Sequence, residues 1–398
     1  MIFLTCKIQK GLKKQFVFFA WKDPIAYSRF ELIKFIIKRG GKMKNNIYIF
    51  SNSILSRKDD SLVLDSIPQT DAIHETDFYE TEGIILPAPK TDGSGNPRHI
   101  PAESVEAIYT FGEVRFNTQF FKCVGFYEIP VHIFNYYGNY VGSFLPASAN
   151  GSGEIQILQY KAYIDNYKRI TIAKSIIDAA IKNILFNLKS YTYSGIDLDE
   201  TINTIASIQE QVRFTDSIQE LMGFEGTARN TYYSAWQNIF KQETDFEKRI
   251  KNPPVGIINS LISFGNSLLY AVCLSEIYRT RLNPFIGFIH ETGDNKHPLV
   301  YDISEIFKPV IVDKVIFRVI NLNIIKPDDF KQTDKGLRLK DDARKKFVEE
   351  FENKLSSIIH HKRINRRISL RSLIRMECYN LINYLTGKLK SYDPYRAN

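Results

Sequence analysis

What this chain lacks narrows its function first. It has only four cysteines in 398 residues, Cys6, Cys123, Cys273 and Cys378, far apart and without a C-x-x-C pair. That usage argues against both a zinc knuckle and a disulfide framework, and it fits a reducing cytoplasm. No run approaches the roughly 18 consecutive apolar residues that a membrane-spanning helix needs; the basic N-terminus has a short one over residues 16–21. Lys13 and Lys14 separate that run from the start, and no small-x-small cleavage site follows it, so neither a membrane span nor secretion is expected. There is no G-x-x-x-x-G-K-[ST] loop and no G-x-G-x-x-G after a strand, which removes nucleotide-driven and dinucleotide chemistry. His74-Glu75 and His290-Glu291 begin like the H-E-x-x-H of zincins, but the fifth positions are Phe78 and Asp294. No G-x-S-x-G elbow supports a serine hydrolase, and no internal repeat is evident.

What is present describes a globular protein with a sizeable core. Hydrophobic residues make up 44% and charged residues 24%, and the length suits two domains. The formal charge of +9 invites a nucleic-acid reading, but its location matters more than its size. Residues 1–42 carry ten Lys and Arg against two Asp and Glu, a balance of +8, which leaves only +1 for residues 43–398. The leader ends in Lys38-Arg39-Gly40-Gly41-Lys42 directly before Met43. An Arg-Gly-Gly run is what a purine-rich ribosome-binding site encodes when it is translated, so Met43 is the expected start and residues 1–42 the expected non-native leader. A basic arm that touches nucleic acid or a partner is the alternative.

Residues 43–146 favour strands. Ile47-Tyr48-Ile49-Phe50, Leu62-Val63-Leu64, Gly83-Ile84-Ile85-Leu86, Ala107-Ile108-Tyr109-Thr110-Phe111 and Val131-His132-Ile133-Phe134 are short apolar or β-branched runs bounded by turn residues. Helical spacing over 117–127 predicts one helix packed on that sheet. Residues 147–153, small and polar, read as a linker. From 154 to 398 the period becomes helical, with helices expected over 155–188, 202–212, 217–240, from Val255 to Asn283-Pro284, and near 341–361 and 369–389. The predicted fold class is α+β, an N-terminal β-rich domain followed by a larger all-α catalytic domain.

Three groups in the helical half combine carboxylate and imidazole donors: Glu225, His290, and Asp302 with Glu305. Such a set suits Mg²⁺ or Mn²⁺, ions that also bind phosphate oxygens. Each has a plainer reading. Glu225 can be a solvated helix carboxylate, His290 a satisfied core histidine, and Asp302 with Glu305 a capping box. These segments resemble the CRISPR-associated integrase of the spacer-acquisition module, the Cas-one family, in its type I-B style. The resemblance runs from Met43 almost to the C-terminus, through Tyr48-Ile49-Phe50-Ser51, Ile100-Pro101, Phe111-Gly112 and Ile129-Pro130-Val131. It continues through Pro284-Phe285-Ile286-Gly287-Phe288-Ile289-His290, Pro298-Leu299-Val300-Tyr301-Asp302 and Ile325-Lys326-Pro327-Asp328-Asp329-Phe330.

The resemblance implies a metal-dependent DNA endonuclease and integrase, working as a homodimer with a dimer of the small companion Cas-two protein on double-stranded DNA, both protospacer and CRISPR repeat. It places Glu225, His290 and Glu305 on the family's catalytic metal ligands, with Asp302 as a supporting or alternative ligand. Many family members carry Asp where this chain has Glu305. The implied reaction is attack of a DNA 3′-hydroxyl on a phosphodiester of the repeat; only one ion site is evident. A stand-alone structure-selective nuclease acting in repair and a non-enzymatic DNA-binding scaffold are the competing readings. The arginines Arg363, Arg367, Arg371 and Arg375, in a stretch without acids, recur every four residues and predict a DNA-binding helix face.

Overall fold

Strand alternation decides how the N-terminal half is used, because successive side chains along a strand face opposite sides of a sheet. The computed structural model describes residues 44–66, 97–147, 153–244, 246–251, 253–293, 297–333, 336–361 and 364–397. In it β1 (Asn45–Ile49), β5 (Val105–Thr110), β7 (Val131–Phe134) and β8 (Tyr140–Phe144) form a four-stranded sheet in the order β1-β5-β7-β8. β1, β5 and β7 run parallel and β8 antiparallel. Ile49, Ile108 and Val131 point to one face, where they pack with the helix α1 (Thr118–Phe126), capped by Asn117. Tyr109, Phe111 and Phe134 point to the other face and join the helical core. Both faces of this sheet are therefore buried, as a parallel sheet requires.

A second four-stranded sheet, ordered β4 (Arg98–Pro101), β3 (Ser61–Ser66), β2 (Ser53–Lys58) and β6 (Val114–Phe116), flanks the first. Residues 44–398 form one compact unit. The expected strand around Gly83, the expected leader 1–42 and most of the expected linker lie outside the described residues.

The C-terminal half is mainly α, as expected: α2 (Gly153–Ile164), α3 (Asn166–Thr192), α4 (Asp199–Val212), α5 (Ile218–Ser234), α6 (Trp236–Ile239), α7 (Ile257–Tyr278), α8 (Pro298–Phe307), α9 (Lys314–Asn321), α10 (Asp341–Ser356) and α11 (Leu370–Leu385). α7 is long and apolar enough to cross a membrane by composition, but most of it is buried as the central helix of this core. Two expectations are corrected. The predicted helix over 155–188 is two helices, because Asp165 caps α3 by accepting a hydrogen bond from the Lys168 backbone N–H. The half is not purely α, since β9 (Phe330–Thr333) with β10 (Gly336–Leu339) and β11 (Ile358–His361) with β12 (Arg366–Ser369) form two small hairpins.

The sheet is joined to the helices by buried polar groups as well as by aromatic packing. A bulge in β5, where Val105 and Ala107 pair with consecutive residues of β1, inserts Glu106. Its carboxylate meets Arg279 at 3.1 Å and Arg375 at 3.2 Å, and Arg375 also pairs with Glu276. His132 of β7 is fully buried between the hydroxyls of Ser143 (2.5 Å) and Ser275 (2.6 Å).

Burial, with a smaller push from Arg279, holds the His132 imidazole down at about 3. The unfolded chain binds the proton near pH 6.5, so between these values the unfolded state carries more protons and stability falls as pH falls. Wild type is expected to lose about 2 kcal/mol more than His132→Gln between pH 7 and pH 5 in chemical unfolding. Equal losses in the two proteins would show that the histidine is not held neutral.

Candidate metal centre

The candidate ligands come from two helices and one loop. Glu225 and Arg229 sit four residues apart on α5, where side chains at that spacing share a face. Asp302 and Glu305 lie on α8, and His290 closes a loop that runs from Asn283 towards α8. α8 begins at Pro298 with His297 before it, so Asp302 and Glu305 are interior positions and the capping-box reading fails.

Asp302 is fully buried and organises the loop. Its Oδ2 accepts the backbone N–H groups of Phe288 (2.5 Å) and Ile289 (3.1 Å), and its Oδ1 accepts the N–H of His290 (3.1 Å) and contacts His290 Nδ1 at 2.8 Å. Gly287 permits this approach: a Cβ there would meet the Pro298 Cβ at 2.7 Å and Asp302 Oδ2 at 2.9 Å. The loop is braced from behind by Gln159, which donates to the carbonyls of Asn283 and Ile286, and by Arg169, which donates to that of Phe288.

With Nδ1 committed to Asp302, Nε2 of His290 is the nitrogen left for a ligand. Burial works against a charged imidazole here, but the hydrogen bond and charge of Asp302, then the charge of Glu305, raise its pKa above the ordinary value. The environment thus favours a positive charge, a proton or a metal ion, at that ring.

Glu305 is 6% exposed, and its carboxylate accepts from Arg229 Nη2 and Lys308 Nζ, each at 2.5 Å. Burial pushes this carboxyl up, but Lys308 and Arg229 more than offset it and hold it at about 2. Arg229 Nε also donates to Glu225 Oε1 at 3.1 Å. One guanidinium therefore spans the two carboxylates. Among the described residues no three His, Cys, Asp or Glu side chains converge on a single ion-binding point, because Glu225 and Glu305 are turned onto Arg229.

The donor set nevertheless fits a divalent ion. Each group keeps an acceptor: Nε2 of His290, Oε2 of Glu225, and the second lone pairs of the Glu305 oxygens. A cation already sits between the two carboxylates, in the form of Arg229. Glu225 and His290 keep 28% and 34% of their side chains exposed, so the centre opens to solvent on one side. A hard cation with two carboxylates and one imidazole is Mg²⁺- or Mn²⁺-like chemistry.

The arginine stretch behaves differently from its spacing. Residues 366–369 are strand β12, not helix, and Ser369 caps α11 by accepting from the Ser372 N–H, so the four-residue recurrence does not make one face. Arg371 pairs with Glu352 at 2.5 Å, and Arg375 is 4% exposed within the Glu106–Glu276 cluster. Arg367, with Arg366, is exposed on the β11–β12 hairpin, and Arg363 lies outside the described residues. The site residues not anticipated from sequence are Arg229, Lys308 and Gly287. The first two follow Glu225 by four residues and Glu305 by three, a spacing that could have paired them.

Against known proteins, the family model described as CRISPR associated protein Cas1 matches residues 88–353. A CRISPR-associated endonuclease Cas1 from Fusobacterium nucleatum subsp. nucleatum is 41% identical over 357 residues, which is 90% of this chain and 98% of that protein. One from Clostridium perfringens is 40% identical over 360 residues, covering 89% and 99%. A solved CAS1 protein from Thermotoga maritima is similar at 32% identity with a TM-score of 0.73, over 88% of this chain and 100% of that one.

Proposed function

Because the chain belongs to the CRISPR-associated Cas1 family, we propose that it is the integrase of spacer acquisition, joining protospacer DNA to a CRISPR repeat with the help of Mg²⁺ or Mn²⁺. The observation that carries this reading is the shared environment of Glu225, Glu305 and His290: two carboxylates bridged by one cation, beside an imidazole whose second nitrogen is pinned by Asp302. Glu225, His290 and Glu305 would hold the ion. When bound, it supplies a Lewis acid that neutralises charge on a phosphate.

The chain's own residues do the remaining work. Asp302 holds His290 Nδ1 and so presents Nε2 outward; Lys308 and Arg229 keep Glu305 ionised in a buried position. In the joining step the 3′-hydroxyl oxygen of the incoming strand forms a new P–O bond and the repeat's own 3′-oxygen leaves as a hydroxyl. One phosphodiester replaces another, without net hydrolysis. Within this reading the protein works in the cytoplasm as a homodimer with a dimer of the small Cas-two protein.

The test is joining with that companion protein: a labelled 3′-hydroxyl donor is expected to become covalently attached to a repeat-bearing duplex. Cleaved duplex without joined product would favour the stand-alone nuclease, and no turnover with any divalent ion would favour the scaffold.

Arg366 and Arg367 are the exposed remnant of the arginine stretch and are proposed to contact phosphate. Replacing both with Ala is expected to lower the slope of log affinity for duplex DNA against log salt by about two, one counterion per contact. An unchanged slope would make the hairpin arginines ordinary surface residues.

A further inference from the structure

The guanidinium of Arg229 occupies the place between Glu225 and Glu305 that a metal ion would need, so something must receive Arg229 when an ion arrives. Its third nitrogen, Nη1, is buried and has no hydrogen-bond partner among the described residues. A second orphan lies nearby. Asp313 is 1% exposed, its Oδ2 is buried without a partner among the described residues, and the Tyr232 hydroxyl, one turn along α5 from Arg229, is close enough to act on its charge. Asp313 sits on the π-helical turn Pro309–Asp313 that follows α8, a register that turns a side chain away from where an α-helix would put it and is frequent at functional sites.

Arg229 and Asp313 already feel each other. Burial opposes the charged guanidinium, but Glu305, Tyr233, Glu225 and Asp313, in that order, outweigh it. Burial raises the Asp313 carboxyl to about 7, against the pull of Arg229 and then Lys308. An unpartnered carboxylate oxygen and an unpartnered guanidinium nitrogen each cost free energy when buried, a cost that pairing the two would relieve.

We propose that Arg229 is a displaceable occupant of the metal centre, holding Glu225 and Glu305 together before the ion binds and then turning to Asp313 as its second carboxylate partner. The inference rests on the metal-centre reading above. Asp313 is then a positioning residue: it never touches the ion, and it lowers the free energy of the state from which Arg229 has withdrawn. An ion binds only as tightly as the fraction of molecules in that state permits.

The test is Mn²⁺ binding by titration calorimetry to the full chain without DNA, with the thermal midpoint of each metal-free protein. Asp313→Asn keeps the shape and removes the charge. It is expected to weaken Mn²⁺ binding about tenfold, while the metal-free midpoint stays level or rises. Arg229→Gln removes the competitor and is expected to tighten binding by about tenfold at the cost of a lower metal-free midpoint, with Arg229→Lys as a milder form of the same change. Adding Asp313→Asn to Arg229→Gln is expected to change affinity by less than about twofold, since there is no cation left to receive. If Asp313→Asn in the wild-type background leaves Mn²⁺ affinity within about twofold, or weakens it equally when Arg229 is Gln, the inference is overturned while the metal centre stands. If wild type binds no Mn²⁺ that Glu225→Gln and Glu305→Gln abolish, the metal-centre reading itself falls and takes this inference with it.

Discussion

Glu225→Gln, His290→Ala and Glu305→Gln are each expected to reduce Mn²⁺- or Mg²⁺-dependent joining by about 1000-fold or more in single turnover, corresponding to roughly 4 kcal/mol of lost transition-state stabilisation. If these three residues hold the ion as proposed, weakening one donor would leave charge on the transferring phosphate poorly opposed. Gln is the informative change at the two glutamates because it keeps the side-chain length and one acceptor oxygen. Glu305→Ala is a different experiment. It strips the ion-pair partner of Lys308 and one partner of Arg229 in a fully buried setting, so a stability loss of about 3 kcal/mol or more accompanies any loss of activity. Thermal midpoint and joining rate measured on the same preparations separate the two effects. Glu305→Asp keeps the charge with one methylene less and is expected to retain part of the activity. Full activity in Glu305→Gln would mean that this side chain only neutralises Lys308 and Arg229.

Asp302→Asn is expected to raise the Mn²⁺ concentration needed for joining by about 10- to 100-fold, the usual consequence of losing the partner that orients a metal-binding histidine. The reason is local. Asp302 accepts three backbone N–H groups of the 288–290 segment as well as His290 Nδ1. An amide offers one oxygen and forces an N–H₂ donor against groups that are themselves donors. The loop then loses its pin and His290 its fixed tautomer. DNA affinity measured without divalent ion should change little, because the loop's other braces, Gln159 and Arg169, remain. An unchanged Mn²⁺ requirement in a folded Asp302→Asn protein would remove Asp302 from the centre and leave it a purely structural residue.

The order of strands before helices was legible in the sequence because periodicity survives the tertiary context. Ala107 to Phe111 and Val131 to Phe134 became neighbouring parallel strands buried on both faces, which is why they read as continuous apolar runs instead of alternating ones. Glu225, His290 and Glu305 were reached through family resemblance. Their spacing in sequence says little, since each comes from a different element, with Glu225 65 positions before His290 and His290 15 before Glu305.

The single helical face expected of the arginine stretch does not form, for a specific reason. A recurrence of four looks helical, yet Ser369 is a helix N-cap, and the residues before a cap are extended. Asp165 was the same signal inside the predicted helix over 155–188. Arg375 could not have been placed from sequence at all. Its burial follows from the β5 bulge that sends Glu106 into the helical layer, and a bulge has no reliable mark in an apolar run. Asp313 was equally silent, because its meaning depends on a π-helical turn and on an arginine 84 positions earlier.

The most direct test of the central claim is Mn²⁺ anomalous scattering from crystals of the wild-type protein, collected at the manganese edge. The expected result is one anomalous peak bonded to His290 Nε2 and to carboxylate oxygens of Glu225 and Glu305, with Arg229 no longer between the two glutamates. A well-ordered active centre with no peak there, or a peak held by other residues in protein that still joins DNA, would contradict the account.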